Sequence, residues 1–502
     1  MPTAGAPIDG RRLRALALRG GAYLAGRHVA SVFIRLGGAL LLTDLLGVTD
    51  FGRYAGAMAL VGVIGGFAMV GTDVYLIRFA GEPSRDTEDQ AFTFLLASTL
   101  LAVVVGLVLS IGLRSWYDDG AMVTAFTVLL VTLPLNLCWV PALARLERSF
   151  RYRALAGLEL SGDLVFYATA IGACLLFTPT YWAPVLAQFV QQAWLLVGTA
   201  VAARYRPRLR FDRALLDRQL RYGLGVSSAS WLQTLSNAVY PLVVGRFAGS
   251  AAVGQVALAL RVVDAAAFVK RSTGRLAQVA LAKLQHHPDQ LRKAHAEGTL
   301  YQVLATGPFM AAAAGAAALG LSWFYDGNWS EAIDVLPLLL ATSLVGTMFN
   351  LHSSTLQVRG NNHAVALLRV LQLNLLLGAA LVTVPRYGVV GYGLAEVVRL
   401  VAFVAADVSL RPIFVPSYRR ALPWLLAWLP PLTAPWLAGV WWPLLYLPVL
   451  GVAASPAGRQ DLALIVSTLR RRTRVRPGSD PERDPERDAD RDADRPAVAA
   501  AS

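Results

Sequence analysis

The stretch "LLGVTDFGRYAGAMAL", from Leu45 to Leu60, joins the end of one apolar segment to the start of the next. A second stretch, "AGSAAVGQVALA", from Ala248 to Ala259, makes the same kind of junction 202 residues later. At that offset Gly47 aligns with Gly249, Gly52 with Gly254 and Ala55 with Ala257. Glycine permits a tight reversal, and small residues allow two helices to pack closely. The matching position of the two stretches predicts a chain built from two similar halves.

The triplet Asp50-Phe51-Gly52 inside the first stretch also occurs in protein kinases, where the aspartate holds magnesium. A kinase further needs a glycine-rich loop, a strand lysine and an HRD catalytic loop. The sequence contains none of these, and the triplet lies between two apolar segments. The kinase interpretation is therefore excluded.

The composition indicates a polytopic membrane protein. Of the 502 residues, 56% are hydrophobic and 16% are charged, and the mean hydropathy is +0.50; soluble domains have about 25% charged residues. A transmembrane helix needs about 20 mostly apolar residues. Fourteen stretches meet this requirement: 22–45, 54–79, 91–113, 121–144, 155–177, 181–203, 222–245, 251–271, 299–325, 331–354, 363–384, 388–410, 421–439 and 440–455. The predicted fold is thus all-α.

The last two stretches are short and rich in proline, so they are interpreted either as two spans or as one re-entrant element. Every second loop is rich in arginine, which predicts that both termini lie in the cytoplasm. The formal net charge is +14, and these loops put it against anionic lipid headgroups rather than nucleic acid.

Six spans in each half predict two lobes related by a pseudo-two-fold axis along the membrane normal. We divide the chain into a basic N-terminus (1–21), a first lobe (22–203), a basic linker (204–221), a second lobe (222–410), a C-terminal helix pair (421–455), a basic segment (456–476) and a disordered charged tail (477–502). The loop 272–298 is predicted to form an amphipathic helix on the membrane. Its histidines His286, His287 and His295 are interpreted as solvated rather than metal-binding.

The chain resembles the oligosaccharide flippase family of the MOP (multidrug/oligosaccharidyl-lipid/polysaccharide) superfamily. The resemblance rests on the first stretch quoted above, on "GTDVYLIRF" (Gly71–Phe79) and on "YGVVGYGLAEVVR" (Tyr387–Arg399), and it extends to about Arg472. The chain departs from the family pattern at Thr43-Asp44, where Ala-Arg is common.

The resemblance implies a non-enzymatic flippase that moves an undecaprenyl-pyrophosphate-linked oligosaccharide by alternating access, for O-antigen, capsule or exopolysaccharide assembly. It implies no cofactor, but a proton or sodium ion as a possible coupling ion. The expected partners are the lipid-linked substrate, membrane lipids and other polysaccharide-assembly membrane proteins. The alternatives are a lipid II flippase, a cation-coupled multidrug exporter, and an O-antigen polymerase or ligase.

Ionisable residues inside the bilayer are costly and are therefore candidates for function. Spans 1 and 7 carry polar stripes that are predicted to face each other across a central cavity, since at the 202-residue offset Ser31 meets Gln233. Asp73 is predicted either to neutralise Arg35 or to take up a proton. Pairing within one helix is the alternative for Arg261 with Asp264 and for Glu396 with Arg399. The predicted substrate cavity comprises Arg27, Arg35, Asp73, Asn237, Arg261, Asp264, Arg369, Glu396 and Arg399.

Overall fold

The computed structural model describes residues 10–79, 83–268, 287–321, 328–437 and 441–474, together with the single residues 270, 281 and 284. Within these ranges the side chains of residues 10–29 and 468–474, and of nine single positions (226, 228, 229, 288, 320, 321, 362, 465 and 466), are not described. Arg27 is therefore placed by its backbone alone. The charged tail and most of the predicted amphipathic helix lie outside the described residues.

The first half of the described chain is helical. Its helices are α1 (Gly10–Met69), α2 (Thr72–Ile77), α3 (Arg85–Trp116), α4 (Gly120–Leu130), α5 (Thr132–Leu137), α6 (Val140–Arg148), α7 (Tyr152–Leu176) and α8 (Trp182–Ala203). Within this half, α1 packs against α3, α4 and α7, and α7 packs along α8. We call this half the first lobe.

The second half is also helical. It consists of α9 (Arg213–Val239), a π-helical turn (Tyr240–Val244), α10 (Gly245–Phe247), α11 (Gly249–Ala266), α12 (Pro288–Ala316), α13 (Ser330–Met348), α14 (Asn350–Val358), α15 (Asn362–Arg399), α16 (Ala402–Leu410) and α17 (Ala421–Leu432). In this second lobe α9 packs against α15, and α13 packs against α11, α12 and α15. The two lobes meet mainly through α1 and α11.

Eight helices of the described residues are long and apolar enough to cross a membrane, or nine if one bent pair counts as a span. Two of them, 30–69 and 363–410, are 40 and 48 residues long, about twice the length that a bilayer requires. Each contains a glycine with positive φ, Gly47 (69°) and Gly388 (55°). Each therefore holds two of the predicted spans, and the full number of fourteen stays a prediction.

The two glycine-rich stretches that predicted the duplication lie against each other. Gly47 and Gly249 both have positive φ, 69° and 85°, a conformation that favours glycine. A Cβ added to Gly52 would lie 1.8 Å from the carbonyl oxygen of Ser250, and one added to Gly254 would lie 2.3 Å from that of Val48. Residues that align at the 202-residue offset thus pack backbone against backbone between the lobes.

The C-terminal part differs from a simple pair of spans. Helix α17 has only 12 residues and contains Pro430 and Pro431; short 3₁₀ turns follow at Ala434–Trp436 and Trp442–Tyr446. The chain divides into two compact units, Met1–Leu447 and Pro448–Ser502. The last two described helices are α18 (Leu447–Ala454) and α19 (Pro456–Arg474). The segment predicted as basic, 456–476, is therefore mostly helical.

Candidate functional site

A polar cavity of about 640 Å³ lies between α1, α7 and α8 of the first lobe and α11 of the second. Its lining is shared between charged, amide and aromatic side chains. The charged and amide members are Arg35, Asn136, Glu159, Asp163, Gln188, Gln191, Gln192, Arg261 and Asp264. A cavity of this kind offers both ionic and hydrogen-bonding groups to a ligand.

Arg35 is held in the cavity wall by a carboxylate of the same lobe. Its Nε lies 2.9 Å from Oδ2 of Asp163, and the hydroxyl of Ser31 donates to the same oxygen. The Asp163 side chain is 5% exposed, whereas the Arg35 side chain is 65% exposed. The buried carboxylate is thus neutralised, while the terminal nitrogens of Arg35 carry no described hydrogen bond.

Arg261 approaches the same cavity from the second lobe. Its guanidinium carbon lies 4.7 Å from the ring centre of Phe51, a cation–π arrangement. Its Nη1 atom is buried and has no hydrogen-bond partner among the described residues. A buried guanidinium with an unused donor is suited to an anion that enters the cavity.

An apolar groove of about 810 Å³ adjoins the polar cavity. It is lined by the other face of α1, by α11 and by α12, including Phe33, Phe309 and Ala312. Val32, Leu36 and Ala265 line both the groove and the cavity. Phe33 and Phe309 are 71% and 45% exposed. The two spaces therefore form one amphipathic site with a shared wall.

Asp73 lies apart from this site. It lines a separate recess of about 290 Å³ between the first lobe and α9, with Gly66, Ser230 and Thr234 among its neighbours. Among the described residues it forms no ion pair. It does not neutralise Arg35, whose partner is Asp163.

Three predicted site residues pair inside the second lobe. Arg369 donates to the side-chain oxygens of Gln233 (2.8 Å) and Gln372 (3.1 Å). Arg399 pairs with Glu396 at 2.5 Å, three residues earlier in the same helix, as the pairing alternative predicted. None of these residues lines the polar cavity.

The prediction that the polar stripes face each other across one cavity is wrong. Ser31 and Arg35 line the cavity, whereas Gln233 and the exposed Asn237 do not. Each stripe also contacts a helix of its own lobe, through Asp163 in the first and Arg369 in the second. The physical reason is that a charge in an apolar surrounding is stabilised by its nearest polar partner.

Of the predicted residues, the structure brings Arg35, Arg261 and Asp264 together, and it adds partners that sequence reasoning missed. Gln188 and Gln192 project into the cavity from α8. Their spacing of four residues puts them on one helix face, and this signal was readable in the sequence. Tyr54 and Trp139 also line the cavity, but nothing in the sequence distinguishes them from other apolar-face aromatics.

A charged network joins the lobes at the end of the cavity near Gly52, which we call the Gly52 end. Arg53 bonds Asp119 at 2.7 Å and Asp50 at 2.8 Å, and Ser250 of the second lobe donates to Asp119 at 2.5 Å. Burial alone would raise the pKa of Asp119, but the hydrogen bonds from Arg53, Ser250 and the backbone of Ala121 outweigh it and lower the pKa. Asp119 is therefore ionised and joins three segments.

This network explains the structural roles of the triplet Asp50-Phe51-Gly52. Asp50 orients Arg53, the ring of Phe51 lies beneath Arg261, and Gly52 leaves room for the backbone of Ser250. All three residues serve the contact between the lobes.

The lobes also touch at the opposite end, near Gly71. The side-chain amide of Gln219 donates to Thr72 at 3.0 Å, and a Cβ added to Gly223 would lie 2.1 Å from the carbonyl oxygen of Val70. Arg218 lies over the ring of Phe79 at 4.8 Å. This Gly71 end is held by close backbone packing, a neutral hydrogen bond and a cation–π contact, whereas the Gly52 end also contains ion pairs.

A metal centre is not apparent in the described part of the chain, where no group of three histidine, cysteine, aspartate or glutamate side chains is arranged to hold an ion. Cys138 and Cys174 are free thiols and both are buried.

Comparisons with known proteins agree with this architecture. Residues 41–334 match the model of a family described as polysaccharide biosynthesis protein. Among curated proteins, none matches the chain in sequence.

Solved structures show the same fold at low identity. The lipid II flippase MurJ, in an inward closed conformation, superposes with a TM-score of 0.68 at 12% identity, over 90% of this chain and 99% of its own. The multidrug transporter DinF-BH, of the MATE type, gives 0.54 at 13% identity, over 83% and 100%. The eukaryotic MATE transporter AtDTX14 gives 0.52 at 14% identity, over 80% and 96%. This is the fold of MOP-superfamily transporters, rather than that of a membrane enzyme.

Proposed function

Because the chain belongs to the polysaccharide biosynthesis family of the MOP superfamily, we propose that it is a flippase for lipid-linked oligosaccharides. It moves undecaprenyl-pyrophosphate-linked repeat units from the cytoplasmic to the outer leaflet of a bacterial inner membrane. The product feeds O-antigen, capsule or exopolysaccharide assembly. No chemical bond changes in this step.

One observation carries the proposal, namely the wall that the polar cavity shares with the apolar groove at Val32, Leu36 and Ala265. A lipid-linked sugar has a large polar head and a long apolar tail joined by a pyrophosphate. The cavity suits the head, and the groove lets the tail stay among apolar side chains. A site for a wholly polar solute would have no use for the groove.

The pyrophosphate is the part of the substrate that most needs protein ligands. Arg35 and Arg261 reach the cavity from different lobes, and arginine binds phosphate oxygens through two parallel hydrogen bonds. The amides of Gln188 and Gln192 supply donors and acceptors of the kind that sugar hydroxyls bind. Because the two arginines belong to different lobes, the bound anion draws the lobes together.

Transport in this proposal is an alternating opening of the two ends of the lobe interface. Opening the Gly52 end breaks the bond between Asp119 and Ser250, and opening the Gly71 end separates Gln219 from Thr72. The Gly52 end faces the periplasm, both termini face the cytoplasm, and fourteen spans cross the membrane. A proton or sodium ion supplies the energy, with Asp73 and Asp264 as its candidate sites.

The test is a strain that lacks the gene. Its polyprenyl-linked oligosaccharides are extracted and their leaflet is determined with an impermeant sugar-binding probe on intact spheroplasts. We expect finished repeat units trapped on the cytoplasmic side, with the mass identifying the sugar. Trapped lipid II would establish the lipid II alternative, and single units on the outer side would establish a polymerase.

Complementation with variants then tests the site. Arg261→Gln removes the buried cation, and we expect export to fall at least tenfold at normal protein levels. Arg221→Gln is the matched control, because Arg221 is 81% exposed in a surface pair with Asp217 and such pairs contribute little. Full export by Arg261→Gln would contradict the assigned site.

A further inference from the structure

Side chains at the start of α3 bind the segment that follows α8, and they do so through carboxylate groups. Arg145 binds Glu88 with two nitrogens, at 3.1 and 2.5 Å. The hydroxyl of Tyr205 donates to Asp89 at 3.0 Å, and the Arg145 guanidinium lies 5.3 Å from the Tyr205 ring centre. This cluster, which we call the first-lobe anchor, fixes the linker to the first lobe at any physiological pH.

The second lobe contains a cluster of His295, His352 and Tyr418. We call this cluster the second-lobe anchor. His295 stands 206 residues after Asp89, His352 stands 207 after Arg145, and Tyr418 follows the last span of its lobe as Tyr205 does.

The donors and acceptors of this second-lobe anchor can be assigned from its hydrogen bonds. The hydroxyl of Tyr418 donates to Oδ1 of Asp407 at 2.7 Å, and it lies 2.6 Å from Nε2 of His352. Since the single hydroxyl proton is used by Asp407, Nε2 of His352 must donate to the tyrosine oxygen. Nε2 of His352 therefore carries a proton, and in the neutral imidazole the lone pair is on Nδ1.

His295 lacks such a partner. Its ring centre lies 4.7 Å from that of His352, nearly perpendicular to it, and the residue is 1% exposed. Neither of its ring nitrogens has a hydrogen-bond partner among the described residues. The sequence-based prediction that His295 is solvated is therefore wrong. A buried imidazole with an unused lone pair is a base that water does not reach in this conformation.

Few charges face the two imidazoles. Helix α16 contributes Asp407, and the segment after it contributes Tyr418 and Arg411, which pairs with Asp407 at 2.8 Å. Among the described residues of α12 and α14, the titratable groups that act on the pair are the imidazoles themselves. Helix α15 presents apolar side chains, Ala364, Val365 and Leu368. Asp407 and Tyr418 also line a crevice of about 280 Å³.

We propose that His295 and His352 form a proton-binding site that controls the docking of the segment 411–420. In the docked state both imidazoles are neutral and buried. A proton from water that forms an N–H bond at a lone pair creates an imidazolium, and burying that charge next to a second imidazole is unfavourable. Proton uptake therefore favours a state in which the segment undocks and the pair reaches water.

The experiment uses the full-length protein in detergent with spin labels on single introduced cysteines. Ser417→Cys reports on the segment 411–420, and Leu209→Cys reports on the corresponding segment of the first lobe; both positions are exposed. Between pH 8 and pH 5 we expect the label at position 417 to become several-fold more mobile and the label at 209 to stay unchanged. ¹⁵N-histidine spectra, which contain only six histidines, are expected to show the imidazole transition at the same pH.

Variants separate a proton site from acid damage. His295→Gln/His352→Gln is neutral at every pH, so its label at position 417 is expected to lose the response. Tyr418→Phe keeps both imidazoles but removes the bond to Asp407, so its transition is expected at a higher pH. A label at 417 that does not respond, or one that responds equally in the double variant, would overturn the proposal.

Discussion

The hydroxyl of Ser250 and the carboxylate of Asp119 form a 2.5 Å hydrogen bond that joins the second lobe to the first. The same carboxylate accepts from Arg53 and from the backbone of Ala121. One side chain therefore links the two lobes at the Gly52 end.

Replacing Asp119 with asparagine is expected to loosen this end. Arg53 would lose one of its two carboxylate partners and keep Asp50, and hydrogen bonds to charged groups contribute about 1.5–3 kcal/mol. Spin labels at the exposed positions Ser115 and Phe247 measure the distance across the interface, and we expect it to broaden and lengthen. Asp118→Asn is the control, because its pair with Arg246 is at the surface, with Asp118 88% exposed. Equal distance distributions for both variants would contradict this role.

The distance between the labels at positions 115 and 247 is expected to increase only at low pH. The pKa of Asp119 is lowered in the closed structure, so its contribution is present above the ordinary carboxyl pKa of about 3.9 and is lost as the pH falls through the lowered value. The closed distance should persist from pH 7 to pH 4 and broaden only below that. Opening that begins at pH 6 would point to another group.

Gly52→Ala tests the contact between the duplicated stretches. Its added methyl would lie 1.8 Å from the Ser250 carbonyl oxygen, so the lobes must separate. We expect a lower melting temperature and a longer distance at the Gly52 end. Gly62→Ala is the matched control in the same helix, because nothing lies within 4 Å of its added methyl. Alanine is favoured over glycine in a helix by about 1 kcal/mol, so the control should be as stable as the natural protein or more so.

Replacing Arg35 is expected to lower the stability of the protein more than replacing its partner Asp163. Arg35→Ala leaves a carboxylate that is 5% exposed with Ser31 as its remaining described partner, which costs about 1–3 kcal/mol. Asp163→Asn removes the buried charge and leaves an arginine that already reaches the cavity, so its effect should be smaller. Thermal unfolding of both variants and of the double variant provides the measurement. If the double variant is no more stable than Arg35→Ala alone, the pairing does not explain the loss.

Filling the apolar groove tests the tail's place in transport. Ala312→Trp puts an indole into the groove, and we expect the export of lipid-linked sugar to fall at least tenfold without loss of protein. Leu176→Trp is the control, because Leu176 is 79% exposed and lies outside the groove. Normal export by the Ala312 variant would place the tail elsewhere.

The sequence predicted the parts of the fold that depend on local patterns. Apolar length was enough to predict an all-helical membrane protein, the resemblance of three stretches pointed to the flippase family, and Gly47 and Gly249, which align at the 202-residue offset, share a left-handed backbone. The count of spans is less determined, because proline-rich α17 and the polar helix α9 do not meet the length and hydropathy that define a span.

The site was predicted less well, because its partners come from distant parts of the chain. Sequence spacing shows neighbours on one helix, as it did for Glu396 and Arg399. It does not show that Asp163 is the partner of Arg35, 128 residues away. For His295 the surrounding loop looked polar, and its burial depends on packing against Phe414 and His352, which no local pattern reveals.

The opposite charges of Asp163 and Arg369 bear on how a duplicated gene diverges. Both residues contact the polar stripe of their own lobe, yet one is an anion and the other a cation. A dimer of two first halves would carry the carboxylate twice, and a dimer of two second halves would carry the guanidinium twice. The predicted equivalence of the two halves therefore does not extend to the charges beside their polar stripes.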